Sequence, residues 1–130
     1  MTIVRFCMLG MTLLATIAFA QEASLYDGKW TATYKAQDGT SHNAELVLKG
    51  TAGTWKWVFN KVARAGRAVC VNREFPVTVQ NSSPSELTFN IEASKTIQGC
   101  TDRTVTVKLV DDKNLDGKFS DGTAVTLTRH

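Results

Sequence analysis

Histidine is nearly absent from this chain of 130 residues, and so are the short motifs of catalysis. Its two histidines, His42 and His130, sit in no acid–base or nucleophile signature, and no Gly-x-Ser-x-Gly elbow occurs. No enzyme is expected from this. No convincing helical period, internal repeat or low-complexity tract is present. The length is that of one domain. A hydrophobic content of 43% is ordinary for a globular protein and excludes wholesale disorder. Beyond the N-terminus no long uncharged run occurs, so no transmembrane segment is expected in the mature chain.

Residues 1–20 read as a secretory signal peptide. Arg5 supplies the positive n-region, Phe6 to Ala20 carries no charge, and Ala18-Phe19-Ala20 fits the small-x-small cleavage pattern. The apolar run is short for a bilayer span. Val4-Arg5-Phe6 before Cys7 does not resemble a lipoprotein cleavage site. The domain is then 21–130, exported to the periplasm or the extracellular space. It keeps two cysteines, Cys70 and Cys100, and one pair in an exported protein reads as one disulfide. Without a nearby histidine they make a poor zinc site.

From Gly28 onward the dominant pattern is alternation with period two. Trp30, Ala32 and Tyr34 alternate with Thr31, Thr33 and Lys35, and seven further runs follow, the last carrying Val125 and Leu127. Threonines and charges between the apolar positions suit the wet face of an antiparallel sheet. The expectation is an all-β chain of eight antiparallel strands. Facing residues share a side, so loop parity fixes register. A three-residue Gln37-Asp38-Gly39 loop pairs Trp30 with Leu46. A four-residue Gly50–Gly53 loop pairs Leu48 with Trp55 and Leu46 with Trp57. A five-residue Asn81–Ser85 loop pairs Val79 with Leu87 and Val77 with Phe89. Asp111–Lys113 pairs Leu109 with Leu115, and Ser120-Asp121-Gly122 pairs Leu115 with Leu127. Two connections stay long, about Lys61 to Arg73 and about Ala93 to Asp102, and each carries one cysteine.

Eight short strands with one apolar face close into a small barrel or a barrel-like sandwich, and meander order favours the barrel. Three tryptophans with several phenylalanines and leucines point inward, which predicts a filled interior.

Charge is segregated. Residues 55–73 hold Lys56, Lys61, Arg64, Arg67 and Arg73 and no acid. The rest of the mature chain has nine basic and twelve acidic residues, a net of −3. Such a connection suits an acidic protein or another anionic partner, against the alternative of a solvated loop that only aids solubility. Asp112-Lys113-Asn114-Leu115-Asp116-Gly117 matches the first half of a calcium loop. Thr123 stands where the bidentate Glu is required, so an acidic turn is expected rather than a metal site. Asn81-Ser82-Ser83 has the form of a glycosylation sequon and reads as a polar turn. No cofactor is expected, and the chain is expected to be a monomer.

Gly28-Lys29-Trp30 at the first strand and Arg129 at the last resemble the calycin barrels, lipocalins and avidins. That resemblance implies a first-strand tryptophan packed near a late basic residue, and a small apolar ligand inside the barrel. Gly53-Thr54-Trp55, Gly99-Cys100 and the ending from Asp121 to Arg129 resemble small exported proteins of Burkholderia-type proteobacteria, which implies export. Bacterial protease and lysozyme inhibitors are similar in architecture, being small exported β-barrels, often with a disulfide. The leading expectation is an exported binding domain that works through its surface, in its specific form an inhibitor of an extracellular hydrolase. The alternative is a calycin-type carrier.

Overall fold

A computed structural model describes residues 25–59 and 68–130. The chain is an eight-stranded antiparallel barrel, closed in meander order. The strands are β1 (Gly28–Lys35), β2 (Ser41–Lys49), β3 (Ala52–Val58), β4 (Phe75–Ser82), β5 (Glu86–Ile91), β6 (Arg103–Asp111), β7 (Asn114–Phe119) and β8 (Ala124–Arg129). A one-turn helix, α1 (Ala93–Thr96), and a 3₁₀ turn, Ala68–Cys70, lie in the two long connections. The sequence shows no period for them, because both are too short to register one.

Alternation decides the inside. Trp30, Trp55, Phe75, Phe89, Leu46, Leu87, Ile91, Leu115 and Leu127 are all fully buried, and no polar residue is buried with them among the described residues. The interior is packed with side chains, as eight strands with aromatic inward positions require.

Three hairpin registers stand as expected: Trp30 faces Leu46, Leu109 faces Leu115, and Leu115 faces Leu127. Two are corrected by two residues. The β2–β3 turn is Gly50-Thr51 alone, so Leu46 faces Trp55 and Ala44 faces Trp57. Gly50 takes φ 63°, as the first central residue of a tight hairpin turn often must. Gly53 is not a turn residue. A Cβ there would stand 2.0 Å from the Val47 carbonyl oxygen, so this glycine lets two strands approach. The β4–β5 hairpin turns at Pro84–Ser85, with Val77 facing Ile91 and Val79 facing Phe89, and a bulge between Val79 and Asn81 restores parity. The β6–β7 hairpin also uses a bulge, between Leu109 and Asp111.

Candidate functional site

The strand directions sort the loops onto two ends. The tight turns 50–51, 84–85 and 112–113 share one end with residues 25–27 and Arg129. The other end carries the β1–β2 and β7–β8 turns and both long connections.

At the first end one side chain gathers the termini of the described barrel. The Arg129 guanidinium lies over the Trp30 ring at 4.2 Å from its centroid. Its Nη1 and Nη2 donate to the carbonyls of Asp27 and Leu25, and its Nε donates to the Asp112 carbonyl at 3.0 Å. Trp30 Nε1 donates to the Tyr26 carbonyl at 2.9 Å, and the buried Tyr26 donates its hydroxyl to the Ser83 carbonyl at 2.7 Å.

At the second end the disulfide Cys70–Cys100 joins the two long connections, with Cα atoms 5.7 Å apart. Asn72 adds to the fastening. Its N–H donates to the Trp57 carbonyl at 2.7 Å, and its Oδ1 accepts the Phe59 N–H at 3.2 Å. It holds φ 55°, a left-handed conformation that asparagine tolerates better than most residues. The connection that leaves β3 is thus closed at its base. The other connection is tied by Asp102. That carboxylate accepts the Ser94 N–H at 2.8 Å and the Ser94 hydroxyl at 2.9 Å, and these bonds hold it below the usual carboxylate range. Buried Ala93 and Cys100 seat this second connection on the core.

Rings line the rim beside these connections. Phe119, Tyr34, His42 and Phe59 follow one another with centroid separations of 5.3, 5.7 and 4.9 Å. Burial pushes the Tyr34 hydroxyl above its usual pKa. Thr40 donates its hydroxyl to Asp38, which leaves its oxygen to accept from His42 Nε2 at 2.9 Å. Deeper in, Trp55 Nε1 is buried without a hydrogen-bond partner.

The predicted basic set divides. Lys61, Arg64 and Arg67 lie outside the described residues. Arg73 is exposed in the same connection and forms no ion pair among the described residues. Lys56 is elsewhere. It projects from the outer wall of β3 and pairs with Glu45 of β2 at 3.6 Å. Charge and motif reasoning do not single out the clamping roles of Asn72, Phe59 and Asp102; the one general signal is that asparagine tolerates the left-handed region. Asp111 spends its carboxylate on the Lys113 N–H and the Asn114 side chain. Among the described residues no three His, Cys, Asp or Glu converge to hold a metal.

No protein-family model and no curated protein matches the chain. Among solved structures, a redesigned β-barrel, b11L5F_LGL, is similar. The TM-score is 0.51 at 19% identity, over 82% of this chain and 92% of that one. The likeness concerns the fold alone.

Proposed function

We propose that this is an exported, non-enzymatic binding domain that meets an acidic partner with the disulfide end of its barrel, in its specific form as an inhibitor of an extracellular hydrolase. The observation that carries the reading is the closed base of the β3–β4 connection. A segment with four cations and no acid, Lys61 to Arg73, starts and ends on a stem fixed by Asn72 and by Cys70–Cys100. A fastened stem lowers the ordering cost of binding. Lys56 drops out of the contact set, because it belongs to the barrel wall. The domain follows its signal peptide and acts as a monomer.

The test starts with a pull-down from the extracellular fraction. For the partner recovered, a Lys61→Glu, Arg64→Glu, Arg67→Glu variant should lose roughly tenfold or more in affinity, about 1.4 kcal/mol. Its melting temperature should stay close to wild type if these charges serve the partner rather than the fold, since solvated charges contribute little to stability. Affinity should fall with added salt. Unchanged affinity in the variant returns these residues to a solvated loop.

A second reading is a carrier of a small apolar ligand. The Arg129–Trp30 stack, which the calycin resemblance implies, favours it, and the packed interior opposes it. Native mass spectrometry of protein from its natural source separates the two, because a carrier retains a small molecule.

A further inference from the structure

The two hairpins that flank the β1–β8 seam end in the same turn. Asp38-Gly39-Thr40 and Asp121-Gly122-Thr123 agree in sequence and in detail. In each, the aspartate Oδ1 accepts the threonine N–H at 2.9 Å, and the glycine is left-handed, at φ 84° and 91°. Each glycine N–H donates at 2.9 Å to a carbonyl three residues back, that of Ala36 or Phe119. Those two residues in turn donate to the carbonyls of Thr40 and Thr123, again at 2.9 Å. Two rigid turns therefore stand side by side at the disulfide end.

Between them lies a groove of about 540 Å³. Thr33, Gln37, Ser41, Thr123 and Thr126 supply its hydroxyl and amide groups. Along the outer wall of the same seam, Thr31 faces Thr128 and Thr33 faces Thr126. Two charges line the groove. Asp121 is bound by Arg103 Nη1 at 2.9 Å, whereas Lys35 forms no ion pair among the described residues. Of the basic residues of the 55–73 segment, the two that are described, Lys56 and Arg73, are not among its lining.

We propose that this groove binds an acidic oligosaccharide, a chain of uronate-type sugars. Hydroxyl and amide side chains donate and accept, as the neighbouring hydroxyls of a sugar do. An apolar ligand would leave them unpaired at a cost. Lys35 provides the unmatched cation for a sugar carboxylate, and the locked turns need little ordering on binding.

The test is an amide chemical-shift titration of the mature chain with tetragalacturonate, with maltotetraose as the neutral control. Saturable shifts should cluster at Lys35, Ser41, Thr123 and Thr126 for the acidic sugar. Lys35→Gln should weaken binding roughly tenfold, equivalent to 1.4 kcal/mol. Thr126→Val should weaken it as well, while the Lys61→Glu, Arg64→Glu, Arg67→Glu variant binds unchanged. That last arm separates this site from the proposed partner surface. Shifts confined to residues 68–74, loss of binding in the triple Glu variant, equal binding of maltotetraose, or no shift up to about 10 mM sugar, tenfold above a millimolar Kd, would each overturn the proposal.

Discussion

The two ends of this barrel are held by different chemistry. At the Arg129 end every crossing between neighbouring strands is a tight turn, and the closure is non-covalent, built by one guanidinium on a tryptophan face and three backbone carbonyls. At the disulfide end two crossings are long. Among the described residues neither belongs to a strand, and the chain joins the two connections to each other and pins one to β3 through Asn72. Length outside the sheet is entropy that sheet hydrogen bonds do not recover. A covalent link therefore does most where the connections are longest, and one of those two connections is the basic segment of the sequence.

Four changes break or sharpen this contrast. The largest effect is expected for Trp30→Ala. Trp30 is fully buried, so the loss should be about 3–5 kcal/mol by urea denaturation, and amide exchange should quicken at both ends together. Next comes Cys70→Ser with Cys100→Ser. The bridge spans 30 residues, which the loop-entropy model values at roughly 3–4 kcal/mol. Exchange should quicken first in residues 68–74 and 92–102, while the Arg129 end stays protected. Uniform loss of protection would erase the distinction between the ends.

A smaller effect separates backbone from side chain at Asn72. Asn72→Gly keeps the left-handed φ and loses the bond to the Phe59 N–H. Asn72→Ala loses both, so it should be the more destabilising by about 1 kcal/mol. Equal melting temperatures for the two variants would show that φ 55° is not costly here.

The smallest effect concerns acid. Hydrogen bonds from Thr40 and Thr123 hold the carboxyls of Asp38 and Asp121 below their ordinary pKa, and Arg103 adds to the effect at Asp121. A depressed folded pKa gives stability that is complete above the unfolded value, about 4, and is lost as pH falls through the folded one. The melting temperature should decline below pH 4, and less steeply in an Asp38→Asn, Asp121→Asn variant. Parallel declines would remove these turns from the acid response.

Much of the barrel was legible because alternation and parity are strong constraints. Trp30 opposite Leu46 required a three-residue loop, and the glycine of Asp38-Gly39 stood where that loop needs it. The β2–β3 register failed for a definite reason. Lys49-Gly50-Thr51-Ala52-Gly53 holds two glycines, and a sequence does not say which serves a turn and which serves strand contact. Loops of two and four residues keep the same parity, so the inward set was right while its partners were displaced. Bulges after Val79 and Leu109 were likewise hidden, since each adds one residue without a compositional mark. At the candidate site the charges were legible and the fastenings were not. The bonds of Asn72 to Trp57 and Phe59 depend on where the chain returns after its long excursion.

The closed seam also fixes how the molecule can be held. Gly28 begins β1 and Arg129 ends β8 at the same end of the barrel, and His130 donates its N–H to the Lys29 carbonyl. A strand of eight residues is roughly 26 Å long. A label, surface linker or fusion partner joined after His130 therefore stands a full strand away from the disulfide end. A chain immobilised that way presents its stapled connections outward, the orientation that a sensor or a pull-down resin needs.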